Sequence, residues 1–407
     1  MSAPALHFHL VQSIVSCLQE IFSEQKYADK VIEKLFKQNR KWGARDRRFF
    51  AETVYEIVRH WRKLIYLAGS QDTWAVVGTY LFLQYKEIPD WEEFDLVNLQ
   101  AIRQKLDAHM DDEVIHSFPD WLHQLGQKEF GAEWPPLMRA LNRPAEVFLR
   151  TNTLRTDRNT LIENLAAEDI EVEPVSSEKD SVSFDLPQAL QMRKRKNVFV
   201  SQAFRKGFFE MQDAASQLVA PLLELQPGLR VADACAGAGG KSLHIAALMK
   251  NKGKIIAMDI HEWKLKELKT RAARAGVDII ETKLIESSKT IKRLENSFDR
   301  VLLDVPCSGL GVLRRNPDSK WKLSAAEIDR LVNLQSEILG QYSRMCKPGG
   351  ILVYATCSIL QRENEQQVEN FLSGEGGAQW EQMRQLRVWP HKDGFDGFFA
   401  AVLRRKT

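Results

Sequence analysis

Apolar residues recur at helical spacing through the first third of the chain: Leu10, Ile14, Leu18 and Ile21 share one face, as do Val54, Ile57, Val58 and Trp61. Few strand-like alternations interrupt them, so the pattern predicts a helical domain over about residues 1–130. Turn and helix-stop signals from Trp134-Pro135-Pro136 to Arg143-Pro144 mark a connection. From Ala145 the pattern shortens. VFLRTNTL, IEVEPV, SVSFDL and NVFVS read as strands around a helical NTLIENLAAE, which predicts a small α+β module. A further helix, DAASQLVAPLLEL, is expected from Asp213, whose short carboxylate suits an N-cap, and it ends before Pro227-Gly228.

Beyond Pro227 strand and helix alternate: LRVADAC, a Gly-rich turn, a helix through Met249, KIIAMDI, a helix from about Trp263 to Arg274, FDRVLLDV, a helix from about Ala325 to Cys346, and ILVYATC. Apolar strands separated by helices imply a mostly parallel sheet covered on both faces, a Rossmann-like α/β domain. The expected division is a helical domain at 1–140, the α+β module at 141–212 and the α/β domain at 213–407. There is no internal repeat and no low-complexity segment.

Composition changes this picture little. A chain of 407 residues exceeds one small core, and 44% hydrophobic with 27% charged residues is ordinary for globular domains. No stretch approaches the roughly 20 apolar residues of a membrane span, and the start lacks a basic region followed by a long apolar one. The expectation is a cytoplasmic monomer. Five cysteines, odd in number and in no CxxC pair, argue against a disulfide framework and a zinc knuckle, and no metal is expected. A net charge of +3 does not choose the partner. Three local clusters, Arg45-Asp46-Arg47-Arg48, Arg193 to Lys196, and Arg314-Arg315, are candidates for phosphate contacts, weighed against plain solvated faces.

The turn Cys235-Ala236-Gly237-Ala238-Gly239-Gly240-Lys241-Ser242 follows a strand and opens a helix, an arrangement whose glycines and free N–H groups hold an anionic or polar ligand. Asp259, 20 residues after Gly239, ends the next strand, where an acid binds the ribose hydroxyls of an adenosine cofactor. The rival reading is a phosphate-binding loop of an ATPase, because Gly240-Lys241-Ser242 matches the end of GxxxxGK[ST]. It fails at the first glycine, whose place is taken by Cys235.

Two thiols sit just past apolar strands, in Asp304-Val305-Pro306-Cys307-Ser308 and Ala355-Thr356-Cys357-Ser358, at the sheet edge where such folds bind ligands. Cys17 and Cys346 read as core filler. A thiolate at that edge has a use: adding to C6 of a pyrimidine makes C5 nucleophilic enough to attack a methyl sulfonium. Asp304 is placed to hydrogen-bond N3 and the exocyclic amine of the base. Methylation of an amino group needs no thiol, so carbon methylation is preferred. Trp321 and Phe395 to Phe399 are weighed as stacking platforms for a flipped base and favoured as core. His244 is favoured as a packed helix residue.

These residues resemble the RsmB/NOP (Fmu/Sun, NSUN-related) family of RNA 5-methylcytosine methyltransferases. The likeness runs from about Asp213 to Arg404 and rests on MQDA at Met211, CAGAGGK, Asp259, FDRVLLDVPCSGLGVLRRNPD, LVYATCS followed by Glu363-Asn364, and DGFFAAVLRR. It implies that Cys357 is the nucleophile and that Cys307 assists product release, an order the residues alone leave open. It implies an S-adenosylmethionine site lined by Cys235 to Lys241, Asp259 and Asp304, with Lys241 also near the reacting base. It further implies an RNA-recognition-like module over about 145–212, a NusB-like helical domain, and ribosomal or transfer RNA as the partner. The chain departs from the family at Ala238, where the usual turn has proline, and at Leu284-Ile285, where an acid would meet the adenine edge; Glu286 follows as the substitute. These departures motivate a second reading, a catalytically weak RNA-binding assembly factor on the same fold.

Overall fold

The structure is a computed structural model and describes residues 6–175 and 184–407. These form two compact units, one running up to Arg143 together with Leu313–Ser324, the other comprising Pro144–Val312 and Ala325–Thr407.

In the first unit, helices Phe8–Phe22, Ala28–Gln38, Ala44–Arg59, Trp61–Ala68 and Thr73–Tyr85 close over a core of Ile14, Leu18, Val54, Ile57 and Leu81. The expected stop at Trp134-Pro135-Pro136 is instead the start of a helix, Trp134–Leu141. Prolines in a first turn forfeit no hydrogen bond, because those N–H groups have no intrahelical acceptor. The segment Leu313–Ser324 belongs to this unit rather than to the α/β domain that its sequence position suggested. Trp321 Nε1 donates to Val58 O at 2.8 Å, Lys320 Nζ to Arg59 O at 2.8 Å, and Asp318 Oδ2 accepts from Ala28 N at 3.0 Å.

The second unit holds two sheets. The smaller comprises β1 (Phe148–Thr151), β2 (Val172–Pro174), β3 (Ala189–Met192) and β4 (Phe209–Met211), all antiparallel in the order β2-β3-β1-β4, with helix Arg158–Ala167 packed on it through Leu161 and Leu165. NVFVS is not the strand its β-branched residues predict. It is a short 3-10 turn at Val198–Val200, with Asn197 capping Phe199 N, because only Val198 finds a core while Phe199 and Val200 face outward. Of SVSFDL, residues 181–183 lie outside the described residues, and Phe184–Leu186 pairs with no strand. The helix expected from Asp213 forms its cap, with Asp213 Oδ1 accepting from Ala215 N at 2.9 Å, but breaks into Ala214–Gln217 and a 3-10 turn at Ala220–Leu223. Pro221 explains the break: it has no N–H to donate to the carbonyl of Gln217, and it sits instead in the first turn of the 3-10 helix, where no such bond is needed.

The larger sheet is mostly parallel, in the order β10-β11-β9-β8-β5-β6-β7. Its strands are β5 (Arg230–Asp233), β6 (Lys254–Asp259), β7 (Ile280–Leu284), β8 (Phe298–Asp304), β9 (Cys346–Thr356), β10 (Trp380–Val388) and β11 (Phe398–Arg405), and β11 is antiparallel to both its neighbours, β9 and β10. Helices cover both faces over two apolar clusters, one around Val231, Ile255 and Val353 and one around Ala232, Leu303 and Tyr354. Strand order reverses at β5, flanked by β6 and β8, and at such a switch the C-terminal strand ends open a crevice. Asp233, Asp259, Asp304 and Thr356 all end strands at that edge. No helix among the described residues is long and apolar enough to cross a membrane.

Candidate active site

Between β5 and helix Gly240–Leu248 the chain turns through Cys235 to Gly239, with Gly237 and Gly239 at φ +53° and +87°. At Gly239 a Cβ would also stand 2.4 Å from Leu268 Cγ, so both backbone conformation and packing require glycine. Gly237 N donates to Asp259 Oδ2 at 3.0 Å, while Asp259 Oδ1 accepts from His261 N at 2.8 Å. Ala236 N reaches Met258 O at 2.8 Å, and Arg271 Nη1 donates to Ala238 O at 2.9 Å. Three hydrogen bonds, through Gly237 N, Ala236 N and Ala238 O, thus hold a turn that has no proline to stiffen it.

Lys241, in the first turn of that helix, reaches across the crevice to Asp304 at the end of β8, Nζ to Oδ2 at 2.6 Å. Burial works against its charge, but Asp304 more than restores it, helped by Cys357 and Asp233, and the ammonium's pKa rises. The ring of Phe398 lies 5.2 Å from the same Nζ. Beneath them Asp233 is buried, accepts from Ser242 Oγ at 2.6 Å, and has its carboxyl pKa lifted to about 7, chiefly by burial. Burial also pushes the Cys235 thiol well above its ordinary value.

The two loop cysteines meet at this edge, with Cys307 Sγ and Cys357 Sγ 3.4 Å apart, each partly exposed. Hydrogen bonding to Cys357 and then burial raise the Cys307 thiol well above the usual range, with the Glu363 carboxylate adding to the effect. The loops are tied in place: Gly311 N donates to Cys357 O at 2.9 Å and Gly397 N to Gly311 O at 2.8 Å. Cys17 and Cys346 are buried in the core, as are Phe395, Phe398 and Phe399. His244 is likewise packed inside its helix. Trp321 packs against the helical unit's core, and the Arg314 side chain is buried, so neither is an open nucleic-acid platform here; Arg193 to Lys196 do face outward.

The structure therefore brings Cys235 to Lys241, Asp259, Asp304, Cys307 and Cys357 to one strand edge. Glu286 stands apart from the core, exposed just after β7, while Ile285 turns toward the apolar cluster and its N–H donates to Asp259 O at 3.0 Å. Sequence reasoning passed over Asp233, Arg271, Gln335 and the role of Glu363. Their partners lie up to 61 residues away, and nothing local marks them. The donor set fits S-adenosylmethionine: around Gly237 no atom lies within 4 Å of where a Cβ would stand, Asp259 offers carboxylate lone pairs beside that space, and Asp304 lies across the crevice.

A family model described as 16S rRNA methyltransferase RsmB/F matches residues 220–404, and one described as the RsmF/B-like ferredoxin-like domain matches residues 118–191. A curated protein of Synechocystis sp., named probable ribosomal RNA small subunit methyltransferase B, is 32% identical over 95% of this chain and 97% of its own length. One solved structure aligns at 26% identity and a TM-score of 0.80 over 99% of this chain and 100% of its own. A methyltransferase homolog from Pyrococcus horikoshii aligns at 25% identity and a TM-score of 0.62, over 72% of this chain and 98% of its own.

Proposed function

The chain belongs to the 16S rRNA methyltransferase RsmB/F family, and on that premise we propose that it methylates C5 of a cytosine in ribosomal RNA through a covalent cysteine adduct at C6. S-adenosylmethionine, the cofactor of this family, supplies an electrophilic methyl group. In this reading Cys235 to Lys241, Asp259 and Asp304 hold it, and Glu286 takes the adenine edge in place of the acid missing at Leu284-Ile285.

The thiol pair beside the Lys241–Asp304 bridge is the observation that carries the proposal. Cys357, close to the Lys241 ammonium, attacks C6 through its sulfur. Asp304, held by Lys241, accepts from the exocyclic amine and stabilises the base as the C6–S bond forms. After methyl transfer the C5 proton passes to water, its electron pair re-forms the C5–C6 double bond, and the C6–S bond breaks with Cys357 departing as thiolate; Cys307, 3.4 Å away, assists this release. A cytosine in a helix must first be extruded. The helical domain and the small module position the RNA, with the domain division expected from the sequence, and the working species is a cytoplasmic monomer.

The test incubates wild type, Cys357→Ala and Cys307→Ala with ribosomal RNA, transfer RNA and labelled S-adenosylmethionine, then assays 5-methylcytosine and a denaturant-stable protein–RNA adduct. Cys357→Ala is expected to abolish methylation, and Cys307→Ala to accumulate the adduct. A wild type that binds RNA tightly but makes no 5-methylcytosine would replace this reading with that of an assembly factor, a reading favoured by the missing acid at Ile285.

A further inference from the structure

We infer that Glu363 is the positioning residue that aligns the two thiols, its carboxylate clamping the loop of Cys307 to the loop of Cys357. The side chain is fully buried and accepts from Ser308 N at 2.8 Å, Ser308 Oγ at 2.5 Å, Gln335 Nε2 at 3.0 Å and Ser358 Oγ. Ser308 and Ser358 each directly follow one of the cysteines, so one carboxylate grips both loops one residue from the reacting sulfur.

The surroundings extend the grip. Gln335 also donates to Pro306 O at 2.9 Å, so Cys307 is held on both sides. Asn364 does the same for Cys357, donating to Ser358 O at 3.0 Å and bonding Thr356 Oγ1. Tyr354 OH donates to Glu363 O at 2.7 Å, fixing the clamp to β9, which leads into Cys357.

Among the described residues no cation forms an ion pair with Glu363, and burying a charge without one is costly. A neutral or apolar residue would serve the core at less cost. A carboxylate is warranted where several neutral donors from two loops must converge on one point, since two oxygens with no hydrogens accept them all. The charge also adds to the upward push on the Cys307 thiol.

The inference rests on the proposed two-thiol function, so the test reads thiol alignment without RNA as well as catalysis. Diamide oxidises two thiols to a disulfide by taking two electrons and two protons, and the Cys307–Cys357 product is followed by mass spectrometry. Glu363→Gln keeps the shape but leaves one acceptor oxygen, and should slow this oxidation about tenfold, the equivalent of one lost buried hydrogen bond. Its kcat for methylation should fall, with the KM for S-adenosylmethionine unchanged, because the cofactor turn does not touch Glu363. A residue that only stabilised the fold would lower Tm and leave kcat intact well below Tm. If Glu363→Gln does not fold, Ser308→Ala and Ser358→Ala remove one arm each and should slow oxidation in the same direction. Wild-type oxidation rate and kcat in a folded variant overturn the clamp. Slowed oxidation in the variant, with a wild type that makes no 5-methylcytosine, overturns the methylation reading and leaves the clamp standing.

Discussion

Asp233 closes β5 with its carboxylate out of solvent, Oδ2 held by Ser242 and Oδ1 without a partner among the described residues. Because its folded pKa of about 7 lies above the ordinary 3.8, the folded state binds the extra proton, and the stability it confers is lost as pH rises from about 4 to 7. Asp233→Asn removes that dependence. Urea unfolding should show the variant gaining on wild type across this window by up to about 4 kcal/mol, three pKa units at 1.36 kcal/mol each; parallel curves would refute the assignment. At this scale the thiols were legible, since their strand-end motifs are contiguous. What raises the Cys307 thiol was not, because the hydrogen bond and the carboxylate responsible come from Cys357 and Glu363, 50 and 56 positions away.

The cofactor turn shows how an element departs from its usual sequence without losing shape. Ala238 supplies no ring to stiffen it, and its carbonyl is held by Arg271, whose other nitrogens bind Glu210, buried at the end of the small sheet. Arg271→Lys keeps a cation for Glu210 but cannot reach both partners in the same fork geometry. It should weaken S-adenosylmethionine binding about tenfold by calorimetry, the worth of one such bond, and an unchanged Kd would show that the turn holds itself. Strands β5, β6, β8 and β9 were plain from their apolar runs. β7 and β10 were not, because these edge strands are largely exposed and carry no apolar signature. In NVFVS propensity pointed to a strand, and the absence of a partner made it a turn.

At the scale of the whole molecule, Leu313–Ser324 leaves the thiol loop and joins the helical unit, where Trp321 packs beside Phe22 and donates to Val58 O. Trp321→Ala should cost about 3 kcal/mol in denaturant unfolding. Diamide oxidation of Cys307 and Cys357 should stay at the wild-type rate, because Gly311 anchors the loop to Cys357 O and Gly397 before that segment begins. A slowed oxidation would mean that the anchor at Gly311 does not isolate the thiols. By itself the chain order determined the helical, α+β and α/β succession, the glycine turn, Asp259 and both cysteines, because helical and strand periodicity and motif spacing are written over a few neighbouring residues. The 3-10 turn at Val198, the home of Leu313–Ser324, the Lys241–Asp304 bridge across 63 positions and the convergence on Glu363 were decided only in three dimensions. Each depends on which distant partner a side chain finds once the strands align, and no local pattern encodes that.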